Sequence, residues 1–128
     1  MKFDEFLAMV RERGEYEDQE EARKITAAVL RVPADRIPPG EAKNLATQLP
    51  PPLDRALRSN GEPEGYGREE FLRRVAERTG AHARTAEWDA SAVLATVADA
   101  VSGGELNQIL GQLPSGYATL FGRPGLSR

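Results

Sequence analysis

Apolar positions along this chain return with the period of a helix and nowhere with that of a strand. Phe3, Phe6, Leu7 and Val10 fall at i, i+3, i+4 and i+7, one face of a helix, and Gly14 is placed to end it in a left-handed cap. From about Gln19 to Val32 a second face carries Ala22, Ile25, Val29 and Val32. Pro33 is expected to break or kink that helix, because proline lacks an N–H and crowds the preceding turn. Ala42, Leu45, Ala46 and Leu49 mark a short third helix, stopped by Pro50, and a brief fourth segment holds Leu53, Ala56 and Leu57.

The same series then comes again. Glu5-Phe6-Leu7, Val10 and Glu12-Arg13 recur at a constant offset as Glu70-Phe71-Leu72, Val75 and Glu77-Arg78. With an offset one residue shorter, Ala28-Val29-Leu30, Ala34-Asp35, Gly40-Glu41 and Gln48-Leu49-Pro50 recur as Ala92-Val93-Leu94, Ala98-Asp99, Gly104-Glu105 and Gln112-Leu113-Pro114. A one-residue adjustment in a loop accounts for the change. The second copy begins with a helix through Phe71, Leu72 and Val75 that Gly80 ends. A straight helix from about Ala83 to Val101 follows, with Ala86, Ala90, Val93, Leu94, Val97 and Val101 apolar. Leu106, Ile109, Leu110 and Leu113 form the third helix, and Tyr117, Leu120 and Phe121 the fourth segment. Ser102-Gly103-Gly104-Glu105 has the capping-box form, whereas the aligned stretch before Glu41 relies on Pro38-Pro39 and on the charge of Glu41 near the helix dipole.

The expected architecture is therefore all-α: a helical bundle from two tandem repeats of a three-to-four-helix unit, related by a pseudo-twofold axis. Residues 1–58 form repeat 1, 59–67 a turn-rich linker, 68–121 repeat 2, and 122–128, with Gly122, Pro124 and Gly125, a frayed tail. A unit of about 55 residues is marginal alone, so the copies are expected to share one core.

Composition then narrows function by exclusion. With 40% hydrophobic and 29% charged residues the chain suits a folded domain, and with no cysteine it has no disulfide, thiolate nucleophile or cysteine metal site. Met1-Lys2-Phe3-Asp4-Glu5 turns acidic at once and no apolar run approaches a membrane span, which points to the cytoplasm. A net charge of -3 gives no global attraction to nucleic acid or to an anionic membrane.

Candidate chemistry is sparse. The single histidine, His82, reads as an exposed turn residue, since a metal or catalytic site needs several convergent partners; no metal site or cofactor is implied. Gly103-Gly104 at a helix start lacks the Lys-Ser/Thr of a phosphate loop, and Glu105 would repel a phosphate there. Glu41 and Glu105 occupy equivalent positions: both are explained by helix capping, and both are placed to meet across the pseudo-twofold as a carboxylate pair with one raised pKa. Arg74 and Arg78, in a cluster with Arg73 and Arg84, have the spacing of phosphate contacts, but Glu69, Glu70 and Glu77 share their helix, the pattern of a solvated mixed-charge face. Trp88 lies roughly 200° round the helix from Ala86 and so off the apolar stripe. It either covers the seam between the repeats or anchors a partner, with Ala92 and Ala95 on that side permitting close helix approach.

The Glu-Phe-Leu-x-x-Val openings at 5–10 and 70–75, the Gly-Glu dipeptides at 40–41 and 104–105, and Gln-Leu-Pro at 48–50 and 112–114 resemble a bacterial family, domain of unknown function 2267, a helical unit often found in tandem. The resemblance spans nearly the whole chain; Pro33, Pro38-Pro39 and Tyr117 depart from its pattern. It implies a fold class and no activity. The residues point first to a non-enzymatic helical interaction or scaffolding module, engaging a protein partner or a second copy. A small-molecule site or enzyme in the groove between the repeats, with Glu41 and Glu105, comes second, and nucleic-acid binding through the Arg-rich helix third.

Overall fold

The computed structural model describes residues 1–34, 39–57, 67–80, 83–113 and 116–122. Within them seven α-helices and one 3-10 turn follow one another, and no strand occurs among the described residues. Helix α1 spans Phe3–Gly14, α2 Gln19–Ala34, α3 Pro39–Gln48, and the 3-10 turn Leu53–Leu57; then come α4 Arg68–Thr79, α5 Ala83–Ala100, α6 Gly103–Gly111 and α7 Tyr117–Leu120. The linker expected at 59–67, apart from Gly67, together with His82 and the tail from Arg123, lies outside the described residues.

Local sequence explains most of the helix ends. Asp4 and Glu5 occupy the first turn of α1 and Arg11 and Arg13 its last, each sign complementing the helix dipole, and the Lys2 N–H donates to Glu5 Oε1 at 3.0 Å. Helix α4 stops at Gly80, whose φ of 73° is the left-handed conformation that glycine adopts without strain. Helix α1 departs from expectation. Gly14 stays helical and Glu15 takes the left-handed position, with φ 55°. The Tyr16 N–H donates to the Arg11 carbonyl at 3.0 Å and the Glu15 N–H to Glu12 at 3.3 Å, the paired bonds of a Schellman ending. Gly14 is needed for space instead: a Cβ there would lie 2.1 Å from Cε2 of Tyr16, whose ring folds back over the helix end.

Pro33 also acts later than expected, since α2 runs one residue past it, to Ala34. Proline removes a single i to i−4 hydrogen bond, and in a last turn that loss is small. The capping box at α6 is half formed. Ser102 Oγ accepts the Glu105 N–H at 3.1 Å, but the Ser102 N–H donates to Gln48 Oε1 of α3 at 2.7 Å rather than to Glu105. The Glu105 carboxylate is left to turn elsewhere.

Packing crosses the chain midpoint. Helix α1 packs on α2 and on α5, and α4 packs on α5 and on α2, while α2 and α5 touch each other. Phe6 and Val10 of α1, Val29 and Leu30 of α2, Phe71 and Val75 of α4, and Val93 and Val97 of α5 are all at most 1% exposed and belong to one cluster. The Phe71 and Tyr117 rings meet edge to face with centroids 5.1 Å apart, and the Tyr117 hydroxyl donates to the Gly67 carbonyl at 3.2 Å. These contacts tie α7 to the start of α4; α7 also lies on α5, and α3 rests on α6. No helix of the described residues is long and apolar enough to cross a membrane.

Candidate functional site

The seam where the end of α1 meets α5 gathers polar side chains from distant parts of the chain. The Tyr16 hydroxyl donates to Asp89 Oδ1 at 2.6 Å, and Asp89 is 3% exposed. Burial pushes the Asp89 carboxyl above its usual range, the Tyr16 hydrogen bond pulls it back, and the nearby Glu21 charge pushes it up again. Tyr16 is raised too, by burial and then by the bond to Asp89, so its hydroxyl stays protonated and acts as a donor. Two helix turns further along α5, Arg13 Nη1 donates to Thr96 Oγ1 at 2.9 Å and the same guanidinium pairs with Asp99. Thr96 is fully buried and passes its own hydrogen to the Ala92 carbonyl at 2.8 Å.

Trp88 completes the seam. Its indole N–H donates to the Gly14 carbonyl at 2.8 Å, yet the residue is 49% exposed. It borders an open groove of about 490 Å3 lined by Arg13, Glu87, Trp88, Ser91 and Ala92. Of the three residues expected to form a surface, only Trp88 is well exposed. Ala92 is buried and Ala95 half-buried, because the chain leaving α7 passes over it: a Cβ on Gly122 would lie 3.7 Å from that of Ala95. Close helix approach at that point is already taken by the chain itself.

The Arg-rich helix is internally neutralised. Arg73 pairs with Glu70 and with Glu77 at 2.9 Å, and Arg74 Nε donates to Glu70 at 2.8 Å. The two guanidiniums hold the half-buried Glu70 carboxyl well below the usual range, at about 2. Arg74 and Arg78 do line one groove, of about 330 Å3, but with Val32, Arg73 and Glu77 also in its wall. Phosphate contacts there would have to displace carboxylates already bound.

Each on the third residue of its helix, Glu41 and Glu105 are brought together where α3 meets α6. Glu41 is 9% and Glu105 8% exposed. Asn44 Nδ2 donates weakly to Glu41 Oε1 at 3.4 Å, whereas Glu105 Oε2 is buried with no hydrogen-bond partner. Burial first, then the charge of Glu41, pushes the Glu105 carboxyl above its usual range. Among the described residues, no group of three or more acidic or histidine side chains is gathered to hold a metal ion.

The family model described as uncharacterized conserved protein (DUF2267) matches residues 3–120, almost the whole chain. The chain belongs to that family. No curated protein matches it. In this DUF2267 chain none of the seam residues Arg13, Tyr16, Asp89, Thr96 and Asp99 is among the site candidates expected from sequence. A signal for two of them was present: Asp89 and Thr96 sit three residues after Ala86 and Val93, on the apolar stripe of α5. A polar residue on such a stripe needs a buried partner. Nothing local names Tyr16 or Arg13 as those partners, which lie 73 and 83 residues away in sequence.

Proposed function

We propose that this chain is a non-enzymatic helical interaction module of the cytoplasm, and that it associates through the groove between α1 and α5. The observation that carries the reading is Trp88, an aromatic half open to solvent whose indole is fixed by its bond to Gly14. A large side chain already held in place loses little entropy on association, and such residues dominate the energetics of interfaces. The groove is bordered by Arg13 from α1 and Glu87 from α5, which pair within the chain with Asp99 and Arg68. With both charges satisfied inside the chain, the groove offers Trp88 and its neighbours Ser91 and Ala92 to a second copy of the chain.

The same reading takes the chain as a duplicated unit, repeat 1 over residues 1–58 and repeat 2 over 68–121, related by a pseudo-twofold. The reciprocal packing of α1 on α5 and α4 on α2 supports it, since each first helix lies against the long helix of the other copy. Ser91→Glu tests the interaction reading: on the groove wall, at a half-buried position, a carboxylate opposes apolar contact. The variant is expected to keep its helix content and to lose association seen in the parent; equal association in both would refute the assignment of the groove.

A further inference from the structure

We propose that the enclosed Glu105 carboxyl, where α6 meets α3 and Glu41, is protonated in the closed fold and that losing the proton loosens α3 from α6, a pH-sensitive clasp separate from the α1–α5 groove. Both residues are more than nine-tenths buried where the two helices meet, and Glu105 Oε2 is enclosed without a partner. An enclosed carboxylate oxygen with no donor is unfavourable when ionised, and a second carboxylate beside it adds repulsion. Protonation at Glu105 Oε2 removes that charge and supplies a donor at an oxygen that otherwise has no partner. On release the proton goes to solvent and a negative charge is left on an enclosed oxygen.

Among the described residues, α6 carries no charged residue besides Glu105 and α3, besides Glu41, only Lys43, which is exposed. On the elements packed against α3, the 3-10 turn carries half-buried Asp54 and exposed Arg55, and the last turn of α2 exposed Arg31. The two helix N-termini favour the ionised forms, but burial outweighs them at Glu105, whose proton is held more tightly than usual. The Ser102 N–H, donated to Gln48 Oε1 at 2.7 Å, joins α6 to α3 at this point and reports whether they stay in contact.

NMR of the full chain tests this by following the Glu105 side-chain carboxyl carbon and the Ser102 amide through a pH titration. In the parent, Glu105 is expected to titrate above the ordinary glutamate value of about 4.3, and the Ser102 amide signal to move with the same midpoint. Glu41→Gln should lower the Glu105 midpoint, and Glu105→Gln should flatten the Ser102 response. A parent in which Glu105 titrates normally, or in which Ser102 ignores the titration, overturns the proposal even if either variant fails to fold. So does a Ser102 shift on adding magnesium or calcium chloride at neutral pH that Glu105→Gln abolishes, which would assign the pair to a cation.

Discussion

The Tyr16 hydroxyl reaches Asp89 Oδ1 across 2.6 Å, joining the end of α1 to a carboxyl buried in α5. Asp89 holds its proton more tightly in the fold than in the unfolded chain, where aspartate titrates near 3.9. Its contribution to stability is therefore full below that value and falls as pH rises through the raised folded value. Asp89→Asn keeps an acceptor for Tyr16 and should remove that fall. Tyr16→Phe leaves the carboxylate without its donor, at a loss of about 1–3 kcal/mol near neutral pH, and should steepen the decline. Urea unfolding of the three proteins at a series of pH values from acid to neutral gives the comparison.

Adjacent substitutions at the end of α1 should act in opposite directions. Gly14→Ala drives a methyl into the Tyr16 ring, 2.1 Å from Cε2, and displaces the hydroxyl from Asp89. A loss of about 1–3 kcal/mol is expected for such overpacking. Glu15→Gly relieves a left-handed residue, a gain of about 1–2 kcal/mol offset by the extra chain entropy of glycine, about 0.5–1 kcal/mol. Chemical denaturation should place Glu15→Gly at or above the parent and Gly14→Ala clearly below it.

Separated halves should not fold. Phe6 and Val10 of α1 and Phe71 and Val75 of α4 belong to one cluster, and each of those helices packs on the long helix of the other half. Residues 1–58 and 68–121, made as two peptides, are expected to show weak helical circular dichroism and no cooperative melt. A sharp melt from either half alone would mean that each core is self-sufficient.

The helices were legible because their apolar residues face one shared interior, so period and burial coincide: Phe6, Val10, Val29, Val93 and Val97 are all fully buried. The family assignment, resting on the same spaced motifs, stands with the match over residues 3–120. What the pattern lacked was the third dimension. Gly14 reads as a cap because glycine usually ends helices, but here it is the space under Tyr16 that requires it. Ser102 and Glu105 read as a complete capping box because Gln48, which takes the Ser102 N–H, comes from another helix. The register aligned Glu41 with Glu105 without showing which oxygen is enclosed, and helical angle put Trp88 off the stripe without revealing its bond to Gly14.

The most direct test of the account is the mass of the chain in solution, by light scattering over a dilution series, with fluorescence of its single tryptophan, Trp88, read in the same samples. A dimer that dissociates on dilution is expected, with Trp88 emission shifting to the blue as the dimer forms. A monomer at every concentration, with Trp88 emission unchanged throughout, would contradict self-association through this groove.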